Sequence, residues 1–140
     1  KQNYIFPLIT EAIEKNCFLT AKATNFTHMV NTILLPYWKS LSIKVEILSS
    51  TMKENSNRES LEYQKLQWLK NNGLGHLKAN LTAGSNTKKY YAGEGVLLID
   101  DYDRTIGEFI SKDGYAIQYT NLNEVMHKLR LIGLCPTNNI

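Results

Sequence analysis

The stretch Gly95-Val96-Leu97-Leu98-Ile99-Asp100-Asp101 decides the fold. It is a continuous apolar run of strand length that ends abruptly in two acids. Runs of this kind are typical of strands covered on both faces, as in parallel sheets, whereas a half-exposed strand alternates apolar and polar residues. The stretch therefore predicts a buried strand whose carboxyl end places Asp100 and Asp101 at the rim of the sheet.

Strand and helix patterns alternate on both sides of this run. The predicted elements are a strand at 44–48, a helix at 60–72 ended by Gly73, a strand at 77–81, the strand at 95–99, a helix at 104–111, a strand at 115–119 and a last helix that Asn121 or Asn123 caps. The inward residues are predicted to be Ile106, Phe109 and Ile110, then Val125, Met126, Leu129 and Ile132. Such alternation predicts an α/β fold, a three-layer, mostly parallel Rossmann-like sheet with helices on both faces.

The first forty residues follow a different pattern. Residues 6–15 and 25–41 have helical spacing, and Pro36 is expected to kink or end the second helix. We predict a single domain over 1–140, with a helical, cap-like region at 1–43 and the Rossmann-like core at 44–132. Residues 133–140 are predicted to be a flexible tail.

The composition excludes several classes of protein. Of 140 residues, 43% are hydrophobic and 21% charged, so the chain is not of the disordered class. It has no apolar run long enough to span a bilayer, and we expect no membrane partner. Its two cysteines, Cys17 and Cys135, form no Cys-x-x-Cys motif, which argues against a cysteine zinc site and favours a reducing, cytoplasmic setting. The net charge of +3 does not by itself imply nucleic acid.

Polar residues that could carry chemistry follow two of the predicted strands. Ser49 and Ser50 end the first strand, and Asp100 and Asp101 end the strand at 95–99. Lys88 and Lys89 lie in the loop before that second strand. Because ligands of open α/β sheets bind beyond the carboxyl ends of the strands, these groups are candidates for one shared site.

Each candidate also has an ordinary structural interpretation. Hydroxyl residues after a strand commonly form turns, surface lysines are usually solvated, and an acid before a helix can cap it. Two adjacent acids repel each other, however, and Mg²⁺ would relieve that repulsion, since it prefers carboxylates, water and substrate phosphate as ligands. Hydroxyls and a lysine supply the donors that phosphate needs. Together the groups predict a site for phosphate and magnesium.

Two other patterns receive less weight. Lys78, Lys88, Lys89, Tyr90 and Tyr91 combine basic and aromatic side chains, which could face a nucleic acid, but the pattern does not extend further along the chain. The three histidines, His28, His76 and His127, lack metal-ligand spacing and are expected to be ordinary surface or partly buried residues.

Five short motifs in order resemble the haloacid dehalogenase-like superfamily, in particular its small phage and bacterial members related to 5'-nucleotidases. The motifs are Val45-Glu46-Ile47-Leu48-Ser49-Ser50, Gln64-Lys65-Leu66-Gln67-Trp68-Leu69, Lys88-Lys89-Tyr90-Tyr91-Ala92, Leu97-Leu98-Ile99-Asp100-Asp101 and Gly114-Tyr115-Ala116-Ile117. The resemblance covers about residues 16 to 130. It implies a magnesium-dependent phosphatase that acts on a phosphorylated small molecule or nucleotide.

The resemblance also implies a role for each motif residue. Ser49 or Ser50 would bind phosphate, and Lys88, or alternatively Lys89, would offset charge on the phosphoryl group. Asp100 and Asp101 would hold Mg²⁺. Family members usually have a Pro and an Asn shortly after the acid pair, where this chain has Asp103 and Thr105.

The largest departure from the family concerns the nucleophile. The family places an Asp-x-Asp motif at the end of a strand in mid-sheet, between the strands that match 44–48 and 95–99, and its first Asp attacks phosphorus. This chain has no Asp before Asp100, and Tyr4-Ile5-Phe6-Pro7-Leu8 carries no carboxylate. We therefore expect either an incomplete sheet or another segment in that middle position.

Three hypotheses about function follow. The chain could be the C-terminal part of a phosphatase, inactive until a second chain or a missing segment supplies the nucleophile. It could instead be a non-catalytic binding protein on the same scaffold. Finally, it could be a phage-type accessory protein that binds a host protein or nucleic acid in the host cytoplasm.

Overall fold

The described residues form one layered α/β arrangement. The computed structural model describes residues 4–8, 24–51 and 58–137. The strands are β1 (Tyr4–Phe6), β2 (Lys44–Val45), β3 (Ile47–Thr51), β4 (Ala79–Ala83), β5 (Val96–Asp100) and β6 (Tyr115–Gln118). The helices are α1 (Asn25–Met29), α2 (Leu35–Ser40), α3 (Arg58–Asn71), α4 (Asp103–Ser111) and α5 (Leu122–Leu131), with a π-helical turn at Val30–Leu34 and a 3₁₀ helix at Ser85–Tyr91.

All the paired strands are parallel. A four-stranded sheet has the order β2-β1-β5-β6, and β3 pairs with β4. Only Glu46 separates β2 from β3, and its N–H donates to the carbonyl of Ile5 at 3.2 Å. The run 44–51 therefore joins the two sheets, and the strand order across them is β4, β3 with β2, β1, β5, β6.

Alternation along the strands divides the core between the two faces of the sheet. Ile5, Ile47 and Leu97 belong to a large cluster that also contains Trp38, Trp68 and Leu129 from the helices. The next residue of each strand belongs to a smaller cluster of Phe6, Leu48, Leu98 and Phe109. Because successive side chains of a strand point to opposite faces, this division confirms the predicted three-layer architecture, with helices on both faces.

The middle position of the sheet is filled by the chain itself. Tyr4 and Ile5 pair with Lys44 and Val45 on one side, and Tyr4–Phe6 pair with Val96–Leu98 on the other. The sequence predicted either a gap in the sheet or another segment at this position. The structure shows another segment, β1. Phe6 therefore lies in a strand and not in the helix predicted at 6–15, and residues 9–15 lie outside the described residues.

Helical residues of the predicted cap-like region, 1–43, pack into the core. Phe26, Val30, Leu34 and Trp38 are buried in the same cluster as the sheet residue Ile5. The helical segment also continues past Pro36 to Ser40, whereas a kink or an end was expected. The π-helical turn just before Pro36 changes the local hydrogen bonding, with Leu35 N–H donating to the carbonyl of Val30, so the chain accommodates a proline that cannot donate.

Three smaller expectations also need correction. Ile110 is 53% exposed and Ile132 is 55% exposed, so neither points inward; Thr105 is buried in α4 instead. The first part of the predicted tail, 133–140, packs on the core, because Cys135 is buried and Trp38 Nε1 donates to the carbonyl of Leu134 at 2.7 Å. By contrast, Asn121 caps α5 as predicted, its side chain accepting from the Glu124 N–H.

Candidate functional site

The strand order creates a switch point beside β1. The chain leaves β1 toward β2 and β3 on one side, and it later returns to β5 on the other side. In open α/β sheets, the crevice beyond the carboxyl ends of the strands at such a point is the usual ligand site. The carboxyl ends of β3, β1 and β5 therefore frame the candidate site.

A buried lysine reaches Ser49 at this edge. Lys65 lies on α3 in line with Leu61 and Trp68, so the packing of α3 on the sheet carries its side chain inward. Its Nζ lies 2.5 Å from Ser49 Oγ and also donates to the carbonyl of Ser50. Both Lys65 and Ser49 are buried. The end of β3 thus presents an ammonium group that a backbone carbonyl and a hydroxyl hold in place.

A second buried lysine pairs with the first of the two acids. Lys88 lies in the 3₁₀ helix, and its Nζ is 2.7 Å from Asp100 Oδ2. The side chains are only 10% and 5% exposed, so solvent screens this ion pair weakly. Gly84 precedes the 3₁₀ helix with a φ of +84°, a backbone conformation that favours glycine, and its carbonyl accepts from Thr82 and Thr87. This turn orients the helix that carries Lys88.

The four groups share one electrostatic environment. Burial and the nearby Lys88 ammonium lower the pKa of Lys65 from its usual 10.5 to about 7, and the Asp100 carboxylate partly offsets this effect. Ile47, and therefore Ser49, faces the cluster that contains Trp68, whereas Tyr91 of the 3₁₀ helix packs on Phe6 of the other cluster. Lys65 and Lys88 therefore approach the edge from opposite faces of the sheet, and Lys88 alone pairs directly with the buried Asp100 carboxylate.

Asp101 has a different environment from Asp100. It is half-buried, and burial together with the adjacent Asp100 carboxylate raises its pKa. Asp100 has already used both carboxylate oxygens, because Oδ2 meets Lys88 and Oδ1 accepts from the Tyr102 N–H at 3.1 Å. The two acids are therefore not equivalent, although they are adjacent in sequence.

The residues present fit a magnesium ion poorly. Among the described residues, no group of three or more His, Cys, Asp or Glu side chains could hold a metal. A lysine ammonium occupies one oxygen of Asp100, and the end of β1 offers Pro7 and Leu8 in place of a carboxylate. Mg²⁺ needs near-octahedral oxygen coordination, of which Asp100 and Asp101 would supply only a small part.

The structure brings some predicted site residues together and leaves others apart. At the carboxyl edge Lys88 pairs with Asp100, while the Ser49 hydroxyl and the Ser50 carbonyl bind Lys65. The alternative lysine, Lys89, instead lies over the Tyr90 ring, with its Nζ 5.6 Å from the ring centroid. Lys78 precedes β4 whereas Lys88 and Tyr90 follow it, so the proposed basic and aromatic patch is split between the two ends of that strand. All three histidines are exposed.

Lys65 is the site residue that the sequence analysis did not identify as functional. It stood only inside the quoted motif Gln64-Lys65-Leu66-Gln67-Trp68-Leu69, on the predicted helix at 60–72. A lysine on the apolar face of a helix was itself the available signal, since lysine is almost never fully buried without a partner. The structure supplies those partners at the end of β3.

Comparison with known proteins adds no family assignment. A scan against protein-family models finds no match to this chain, and neither does a search of curated proteins. No helix among residues 4–8, 24–51 and 58–137 is long and apolar enough to cross a membrane. The resemblance to the haloacid dehalogenase-like superfamily therefore stays a prediction carried by five short motifs.

Proposed function

We propose that this domain binds a phosphorylated ligand at the carboxyl edge of its sheet without hydrolysing it. The observation that carries the proposal is a pair of buried lysines at this edge, Lys65 hydrogen-bonded to Ser49 and Lys88 paired with the buried carboxylate of Asp100. An anion bound here would accept charge-assisted hydrogen bonds from both lysines, and its negative charge would favour the protonated form of Lys65. The position of this cluster, at the switch point of a parallel sheet, supports a ligand site over a purely structural ion pair.

The absence of turnover follows from the middle strand. In the family that the chain resembles, the end of this strand carries the nucleophilic carboxylate. Here β1 fills the position between β2 and β5, and the residues after it are Pro7 and Leu8. A segment supplied by a second chain would have to displace β1 before it could place an Asp there. This favours the binding hypothesis over the hypothesis of a phosphatase that lacks one piece.

Calorimetric titration of the full chain with inorganic phosphate and with a phosphomonoester tests the binding. Lys65→Met should weaken binding by at least about tenfold, since it removes a charge-assisted contact of roughly 1.5–3 kcal/mol. Lys70→Met is the matched control, because Lys70 lies on the same helix and is exposed. Equal affinities for all three proteins, or no binding by the unmodified chain, would contradict the proposal.

The same preparation tests the absence of turnover. We expect no release of phosphate from a broad panel of phosphomonoesters in the presence of Mg²⁺. Hydrolysis that Asp100→Asn removes would show that the site is catalytic and would refute the non-hydrolytic part of the proposal. Hydrolysis that Asp100→Asn leaves unchanged would indicate a contaminating phosphatase, and repurification should then remove it.

A nucleic acid ligand is the second candidate. Tyr90 is 70% exposed with the Lys89 ammonium over its ring, and an exposed aromatic beside a cation can stack on a base. Because Lys88 is buried and Lys78 lies at the other end of β4, this feature is small. Binding to single-stranded DNA or RNA that weakens steeply with salt, and that Tyr90→Ala reduces, would favour this candidate.

A further inference from the structure

Asp100 is the residue on which a magnesium site would depend, and its two oxygens are both engaged. Oδ2 forms the 2.7 Å ion pair with Lys88, and Oδ1 accepts from the Tyr102 backbone N–H at 3.1 Å. The carboxylate is 5% exposed, so displacing the lysine would leave an unpaired ammonium group beside the incoming cation. Such a buried like-charge arrangement is costly unless an anion bridges it.

The second acid offers little compensation. Asp101 is half-buried and adjoins a carboxylate that already has two partners. The strand on the other side of the crevice ends in Phe6, Pro7 and Leu8, whose side chains contain no oxygen. A divalent cation would therefore take most of its ligands from water and from the ligand itself.

The lysines supply the positive charge that the cation would otherwise bring. Lys65 and Lys88 approach the carboxyl edge from opposite faces of the sheet, and the Ser49 hydroxyl lies 2.5 Å from Lys65. A bound anion favours the protonated form of both lysines, and two ammonium groups with a hydroxyl are a donor set suited to the several oxygens of a tetrahedral dianion. A phosphate held in this way needs no bridging metal.

We propose that the site binds its phosphate group directly through Lys65 and Lys88, and that this binding is independent of divalent cations. The inference rests on the proposed phosphate-binding function and adds to it the means by which the charge of the ligand is balanced. It applies to inorganic phosphate and to a phosphomonoester alike, because both present the same oxyanion.

The decisive experiment titrates the unmodified chain with inorganic phosphate by calorimetry, once in EDTA and once in excess Mg²⁺. We expect dissociation constants that agree within about twofold. Binding that requires Mg²⁺, or that Mg²⁺ strengthens by tenfold or more, overturns the inference while the proposed function stands. Failure to bind phosphate under both conditions overturns the proposed function as well, so the two failures are distinguishable.

Substitutions at the Lys88–Asp100 ion pair give a second test, because metal-independent and metal-dependent binding predict opposite changes in phosphate affinity. Asp100→Asn removes a negative charge next to the anion, so in EDTA it should leave phosphate affinity unchanged or raise it. A metal-dependent site predicts the reverse, namely loss of binding. Lys88→Met should weaken binding in EDTA by at least tenfold, with Lys89→Met as the matched control from the same 3₁₀ helix. Where either single variant fails to fold, the comparison of EDTA with Mg²⁺ on the unmodified chain still decides.

Discussion

The two ends of the parallel sheet differ in what they bury. At the carboxyl end, Lys65, Lys88 and Asp100 are all buried, and Lys88 forms an ion pair with Asp100. At the amino end, an apolar pocket of about 280 Å³ is lined by residues that include Tyr4, Ile43 and Leu134. The same strands thus carry charge at one edge and an apolar surface at the other.

This difference separates stability from binding. Burial of ionic groups contributes little net stability, because desolvation offsets much of the attraction, whereas burial of apolar area is the dominant favourable contribution to folding. We therefore expect changes near the amino end to alter the free energy of unfolding without affecting phosphate affinity. Changes at the carboxyl end should alter phosphate affinity and the dependence of stability on pH.

Trp38→Ala should produce the largest loss of stability. Trp38 is fully buried, and its Nε1–H holds the chain after α5 through the carbonyl of Leu134. Removing the ring leaves a cavity and an unpaired carbonyl, so the free energy of unfolding should fall by about 3–5 kcal/mol. Chemical denaturation measures the loss, and Trp38→Phe, which keeps most of the apolar volume, should lose less. A cost below about 1 kcal/mol for Trp38→Ala would show that this contact matters little.

Gly114→Ala should have a smaller effect of the same kind. A Cβ at this position would lie 2.6 Å from two ring atoms of Phe109, a fully buried residue of α4. The ring cannot move freely in a filled core, so overpacking should cost about 1–3 kcal/mol in the free energy of unfolding. Gly107→Ala is the matched control, since a Cβ there meets nothing within 4 Å. Equal thermal midpoints for the two variants would contradict the close packing of α4.

The apolar pattern of the sequence predicted most of the sheet. The apolar run at 96–99 and the helix stripe that contains Val125 and Leu129 depend on local patterns, which are visible in one sequence. The strand Tyr4–Phe6 was not predicted, because three residues are too few to show a period. Only their pairing with two neighbouring strands makes them a strand. Ile110 and Ile132 were wrongly predicted to point inward. Both lie at the end of a helix, where helical spacing no longer determines which side chains are covered by the sheet.

The candidate site was predicted less completely than the fold. Strand ends pointed to Ser49 and Asp100, because topology alone brings carboxyl ends together. No local pattern shows that Lys65 crosses from a helix to Ser49, or that Lys88 rather than Lys89 pairs with Asp100. Those contacts depend on side-chain geometry between segments that are distant in sequence.

The pH dependence of stability tests the charged end of the sheet. Burial and Lys88 lower the pKa of Lys65 to about 7, whereas in the unfolded chain it returns to about 10.5. Between these values the unfolded state binds one more proton than the folded state, so stability should rise with pH, by at most about 1.4 kcal/mol per pH unit. Below pH 7 both states are protonated and this slope vanishes. Chemical denaturation from pH 6 to pH 10 should show a slope that Lys65→Met reduces and Lys70→Met keeps; identical slopes would mean that Lys65 is not buried as a neutral amine.

Ile132→Ser should have the smallest effect on stability. It tests whether the apolar end of the sheet is independent of phosphate binding at the other end. Ile132 lines the apolar pocket yet is 55% exposed, so its removal takes little apolar area out of the core. We expect a change of no more than about 0.5 kcal/mol in the free energy of unfolding and an unchanged dissociation constant for phosphate. Ser49→Ala, which removes one oxygen at the other end of the sheet, should instead weaken phosphate binding measurably. If Ile132→Ser altered phosphate affinity as much as Ser49→Ala does, the two ends would be coupled, and the assignment of binding to the carboxyl edge alone would be wrong.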